Sequence, residues 1–111
     1  MSDDPLARLE ATVRARRGAD PASSYTASLF ARGRPTIAQK LGEEAVECVV
    51  AALGPDPAEI VPEAADLLYH LLVLLADAGL TLDDVRRVVA EEVAKGVDVD
   101  VTVQPATAPA G

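Results

Sequence analysis

Apolar residues recur at intervals of three and four along most of the chain, which is the period of an amphipathic helix. Together with the residues that favour helix starts and stops, this pattern predicts helices at 5–17, 24–31, 35–53, 62–78 and 81–95. The fourth of these is apolar on nearly every side, so we expect it to be the central, buried helix. Its apolar residues are Leu67, Leu68, Leu71, Leu72, Val73, Leu74 and Leu75.

Individual residues set the expected boundaries. Asp4 is placed to cap a helix that begins at Pro5, by accepting a hydrogen bond from a free backbone amide of the first turn. Gly33 should end the second helix, and the sequence GPDP at 54–57 should separate the third from the fourth. Pro62 lacks a backbone donor, and inside a helix its ring would clash with the preceding turn. We therefore predict that the fourth helix restarts or kinks at this proline.

Half of the residues are apolar but only three are aromatic, so the core must consist of Leu, Val, Ile and Ala. This composition predicts an all-α fold, a small bundle of four to five helices that dimerises through its central apolar helices. Residues 1–96 are expected to form one domain. Residues 97–111 alternate Val with Asp and then become rich in Pro, Ala and Thr, which is typical of a disordered tail. The valines could form a short strand if another segment paired with them.

The chain has 10 basic and 18 acidic residues, a net charge of −8. Such a surface repels a phosphate backbone, which argues against nucleic-acid binding, and it admits a phosphorylated small molecule only if a cation bridges the two. A single cysteine, Cys48, and a single histidine, His70, exclude an internal disulfide and a Cys/His zinc site. With no signal peptide and no transmembrane run evident, we expect a cytoplasmic protein without a membrane partner.

Acidic residues are grouped at helical spacing in two predicted helices. Glu43, Glu44 and Glu47 lie in the third, and Glu63 and Asp66 lie at the start of the fourth. At about 4 Å, two like charges repel by on the order of 4 kcal/mol at an effective dielectric near 20. A magnesium ion would remove this repulsion, because it prefers carboxylate oxygens and shares its coordination shell with phosphates.

The alternative is that these acids only solvate a helix surface. Lys40 lies four residues before Glu44 and could form an ordinary surface ion pair with it. Glu63 and Asp66 are harder to explain in this way, because they directly precede the most apolar part of the chain. His70, four residues after Asp66, is within reach of a hydrogen bond to it.

The segments SYTASLF, IAQKLGEEAVE and EAADLLYHLLVLL, which begin at Ser24, Ile37 and Glu63, resemble the phosphoribosyl-ATP pyrophosphatase family. The resemblance covers about residues 6–93. It implies a dimeric all-α bundle that hydrolyses phosphoribosyl-ATP to phosphoribosyl-AMP and pyrophosphate, the second step of histidine biosynthesis. We expect the chain to lack the cyclohydrolase half to which this enzyme is sometimes fused.

The resemblance also implies roles for individual residues. Magnesium ligands are expected at Glu44, Glu47, Glu63 and Asp66. Glu43 or Glu47 would accept the proton of the attacking water. Phosphate contacts should come from cations, and Lys40, Arg34 and Arg32 are near the acidic cluster in sequence. Tyr25 could stack on the base or instead fill the core, and the two arginines could be solvated.

Two other functions remain open from the sequence. One is a housecleaning hydrolase that acts on ordinary or damaged nucleoside triphosphates. The other is a non-catalytic helical module that dimerises and uses its acids only for solubility.

Overall fold

The computed structural model describes residues 3–96, which contain helices and turns and no strand. Five α-helices correspond to the five that the sequence predicts, so the all-α fold is confirmed. A 3₁₀ turn lies directly before the fourth. The elements are α1 (Pro5–Ala15), α2 (Tyr25–Arg32), α3 (Arg34–Ala52), the 3₁₀ turn (Pro57–Glu59), α4 (Ile60–Asp77) and α5 (Leu82–Ala94). The predicted tail at 97–111 lies outside the described residues.

Side-chain caps fix several of these starts. The carboxylate of Asp4 accepts a hydrogen bond from the amide of Leu6 at 3.1 Å, as the sequence predicts. The hydroxyl of Ser24 accepts from the amide of Ala27 at 2.9 Å and begins α2. Between α2 and α3 stands Gly33, whose φ of 93° is a left-handed conformation that favours glycine. Each cap satisfies a backbone group that the end of a helix leaves without an intrahelical partner.

The predicted break at Pro62 is wrong. Helix α4 begins at Ile60 and continues through Pro62 without interruption. Pro62 is the third residue of the helix. The backbone amides of a first turn have no intrahelical hydrogen-bond acceptor, so the missing amide of a proline there costs the helix no hydrogen bond. The preceding 3₁₀ turn, which Asp56 caps by accepting from the amide of Ala58 at 3.0 Å, leads straight into α4.

The helices fall into two compact units, one ending at Thr81 and the other beginning at Leu82. In the first unit, α4 packs against α1, α2 and α3, so its central position is confirmed. The core consists of Val13, Leu29, Ile37, Val73 and Ala76. The expectation that α4 is buried on nearly every side is too strong, because Leu68 is 41% exposed.

The second unit contains α5. Its described ion pairs join Arg86 to Asp83, Arg87 to Asp84 and Lys95 to Glu92. The valines of α5 are exposed. Among the described residues, no single helix is both long enough and apolar enough to cross a membrane. The length and composition of a membrane span are reached only by a bent pair of segments, Pro57–Asp77 with Leu82–Ala94.

Candidate metal and nucleotide site

Three carboxylates from two helices meet on the surface of the first unit. Glu44 of α3 and Glu63 and Asp66 of α4 each offer an oxygen, and these three oxygens lie within 4.8 Å of one another. Glu63 and Asp66 are three residues apart and therefore share a face of α4. Glu63 also lies in the first turn of α4, where the helix dipole favours a negative charge.

The electrostatics of this cluster favour a bound cation. Partial desolvation and repulsion from Glu47, Asp66 and Glu44 raise the pKa of the Glu63 carboxyl above its ordinary value. An all-oxygen donor set of this size fits magnesium, which takes one or a few carboxylates and completes its shell with water and phosphate oxygens. The residues present therefore fit the ion that the sequence predicts.

Glu47 stands outside the group of three, although its charge acts on Glu63. Glu43 is also outside the group and is held separately. Gln39 donates a hydrogen bond to one oxygen of Glu43 at 3.0 Å, and Lys40 lies 3.5 Å from the other. The hydrogen bond from Gln39 and the charge of Lys40 lower the pKa of the Glu43 carboxyl.

The ion pair of Lys40 differs from the one that the sequence suggested. Lys40 pairs with Glu43, three residues on, and not with Glu44. Both spacings are within reach on a helix. Glu44 is half-buried and lies with the carboxylates of α4, whereas Glu43 is exposed, which explains why Lys40 pairs with Glu43.

His70 does hydrogen-bond to Asp66, but through the backbone. Its Nδ1 lies 2.8 Å from the carbonyl oxygen of Asp66, so the carboxylate of Asp66 is not engaged by this contact. The ring of His70 makes edge contacts with Tyr69, at 4.8 Å between ring centroids, and with Tyr25, at 6.4 Å. The histidine is buried, and these contacts hold the segment that follows the carboxylates.

Of the residues proposed to contact a substrate, Tyr25 is 51% exposed and stands beside His70, one turn from Asp66. Arg34 is farther away. Its Nε donates to the carboxylate of Asp77 at 2.6 Å, and its Nη2 donates to the Asp77 carbonyl at 3.3 Å. Arg32 is the last residue of α2 and is exposed.

The sequence interpretation missed two residues that hold the proposed site residues in place. Gln39 holds Glu43, and the spacing of four residues on one helix was a signal that could have revealed it. Asp77 holds Arg34, but the two are 43 residues apart in sequence and no local pattern connects them. Thr26 and Tyr69, equally distant in sequence, share a hydroxyl–hydroxyl hydrogen bond that joins α2 to α4.

Comparisons with known proteins show which family the chain resembles. The family described as phosphoribosyl-ATP pyrophosphohydrolase matches residues 6–93. The phosphoribosyl-ATP pyrophosphatase of Rhizorhabdus wittichii is 61% identical over 80 residues, which are 72% of this chain and 76% of that protein. The phosphoribosyl-ATP pyrophosphatase of Azospirillum brasilense is 65% identical over 75 residues, 68% of each chain.

A third relative is longer. The histidine biosynthesis bifunctional protein HisIE of Photobacterium profundum is 60% identical over 80 residues, which are 72% of this chain but only 39% of that protein. The similarity therefore concerns one part of the bifunctional protein.

Proposed function

The chain belongs to the phosphoribosyl-ATP pyrophosphohydrolase family, and we propose that it hydrolyses its substrate with magnesium held by Glu44, Glu63 and Asp66. The reaction converts phosphoribosyl-ATP to phosphoribosyl-AMP and pyrophosphate in histidine biosynthesis. The observation that carries the magnesium proposal is the approach of three carboxylate oxygens to within 4.8 Å of one another. Without a cation their repulsion would oppose this arrangement.

Magnesium, when bound, would offset the negative charge of the phosphate oxygens. The residues of the chain supply the rest. Glu44, Glu63 and Asp66 would hold the ion, and Glu47, whose charge acts on Glu63, would be available as a further ligand.

Glu43 and Glu47 are the proposed acceptors of the proton of the attacking water. Glu43 suits this role because Gln39 and Lys40 orient its carboxylate outside the group of three, so that it stays free of the ion. Lys40 is half-exposed on the same face, where its ammonium group can also donate to a phosphate oxygen. The exposed ring of Tyr25 offers a surface for the purine. The contribution of these residues is positioning and electrostatics.

A second copy of the chain is the proposed partner. Four apolar residues of α3 and its C-cap follow the spacing i, i+3, i+4, i+7 and are 57% to 83% exposed. They are Val46, Val49, Val50 and the C-cap Leu53. An uncovered apolar helix face of this kind marks an interaction surface. The unit formed by residues 3–81 also has no pocket of its own, whereas small-molecule sites are concave. A second copy packed on this face would bury the valines and supply a wall for the site.

Magnesium should raise the melting temperature of the protein. At a magnesium concentration of about 100 times the dissociation constant, binding to the folded state alone adds about 2.7 kcal/mol to the free energy of unfolding. For a domain of this size that is a rise on the order of 10 °C. The measurement is a calorimetric or fluorescence melt at fixed protein concentration, with sodium chloride of equal ionic strength as the reference.

The matched variant is Glu44→Gln combined with Asp66→Asn, which removes two of the three carboxylates at nearly unchanged volume. Its melting temperature should not respond to magnesium. Without metal it should be at least as stable as the wild type, because the like charges are gone. A wild type that ignores magnesium, or a double variant that responds equally, would show that this cluster does not bind the ion.

Cytoplasmic location and the absence of nucleic-acid binding stay predictions.

A further inference from the structure

We propose that Arg32 and Arg34 bind the 5-phosphate of the second ribose of phosphoribosyl-ATP, at the opposite end of the substrate from the triphosphate. This inference rests on the proposed function and assigns an orientation to the substrate. The phosphate monoester at that end is a dianion, whereas the protein is strongly acidic. The chain must therefore present cations wherever this group binds without magnesium.

Helix α2 forms a path away from the carboxylates. Tyr25, Ser28 and Arg32 follow the spacing i, i+3, i+7 and so lie along one face of α2. At its first residue, the ring of Tyr25 contacts His70, which hydrogen-bonds to the carbonyl of Asp66. Arg32 lies seven residues farther along, about 10 Å at 1.5 Å per residue. Moving away from the carboxylates of α3 and α4, the ring of Tyr25 therefore comes first and Arg32 second.

The packing of α3 on α4 gives a second, independent measure of the separation. Glu44 meets Glu63 and Asp66, while Arg34 meets Asp77. The two helices are therefore antiparallel, and the arginine lies ten residues from Glu44 and eleven from Asp66, which is about 15 Å along the helices. A phosphate bound by Arg34 cannot be one that touches the metal ligands.

Phosphoribosyl-ATP matches this layout because it carries phosphate at both ends of a rigid purine. With the triphosphate at the carboxylates and the purine on Tyr25, the second ribose extends toward Arg32. The guanidinium of Arg32 forms no ion pair with any residue in 3–96 and is available to an anion. The carboxylate and carbonyl of Asp77 orient Arg34, which is two residues from Arg32 in sequence. The planar fork of a guanidinium group suits bidentate recognition of a phosphate.

The test is Arg32→Ala, because Arg32, unlike Arg34, forms no ion pair with any residue in 3–96. Because the far phosphate does not react, removing the arginine that binds it should raise KM for phosphoribosyl-ATP by about tenfold or more. The change in kcat should be less than about twofold. Arg32→Lys should recover part of the loss, since it keeps the charge without the planar fork. Arg8→Ala, which removes an exposed arginine from α1, is the control for net charge and should leave KM unchanged.

Calorimetric binding of products gives a readout that does not depend on turnover. The wild type should bind phosphoribosyl-AMP more tightly than AMP, and Arg32→Ala should reduce that ratio about tenfold while AMP binds as before. Equal binding of the two nucleotides by the wild type would overturn the inference. So would equal effects of Arg32→Ala and Arg8→Ala, or a loss confined to kcat. If the wild type prefers phosphoribosyl-AMP to AMP through Arg32 but releases no pyrophosphate from phosphoribosyl-ATP, the hydrolase function is refuted and this phosphate subsite is retained.

Discussion

Asp66→Asn is expected to lower kcat for pyrophosphate release from phosphoribosyl-ATP by about 10³-fold, since a metal ion offsetting phosphate charge contributes several kcal/mol to a transition state. Asparagine keeps the shape of the side chain but removes one of the three negative charges that would hold the ion. The measurement is steady-state pyrophosphate release at saturating magnesium and substrate.

The control is Glu91→Gln, the same loss of a carboxylate at an exposed position on α5, and it should retain wild-type kcat. Circular dichroism and the metal-free melting temperature separate a catalytic defect from unfolding. Asp66→Asn should be no less stable than the wild type without magnesium, because it relieves repulsion within the cluster. Nearly full activity in a folded Asp66→Asn protein would remove Asp66 from the set of ligands.

Val49→Glu should convert a dimer of this chain into monomers. Val49 lies in the middle of the exposed apolar face of α3, and a second copy on this face would bury any charge placed there. An unpaired buried carboxylate costs several kcal/mol, so the dimer dissociation constant should rise by at least about 100-fold. Sedimentation equilibrium over a range of protein concentrations measures this directly.

Ala11→Glu adds the same charge at an exposed position on α1 and should leave the dimer intact. A Val49→Glu protein that remains dimeric would place the contact elsewhere on the molecule. A wild type that sediments as a monomer at all concentrations would contradict the dimer itself.

Local interactions explain why the sequence predicted most of the helices. Asp4, Ser24 and Gly33 act on backbone groups within a few residues of themselves, and the structure places helix ends near all three. Pro62 misled the prediction because a proline has opposite effects in the first turn and in the interior of a helix. That distinction depended on where α4 begins. Asp56 and Pro57 do predict the capped 3₁₀ turn, which the structure confirms, but not that the turn leads without a break into α4.

The site was predictable only as far as single helices determine it. Spacing predicted that Glu63 shares a helix face with Asp66, and that Glu47 shares one with Glu43 and Glu44. It could not predict which of the three glutamates of α3 would meet α4. That depends on the rotation of one helix against the other, which brings Glu44 into the cluster and leaves Glu43 with Gln39 and Lys40. The position of Arg34 was equally hidden, because proximity in sequence to the acids suggested a clamp beside them. The antiparallel packing of α3 and α4 carries it to the far end.

The release of pyrophosphate from phosphoribosyl-ATP, with and without magnesium, tests the central claim most directly. The wild type should form pyrophosphate and phosphoribosyl-AMP in equal amounts, stop when magnesium is chelated, and resume when it is restored. With ATP or dATP in place of phosphoribosyl-ATP, kcat/KM should fall by at least about tenfold, because the second phosphate contacts are lost. Release that is unaffected by chelation, or a preference for the ordinary triphosphates, would contradict this account.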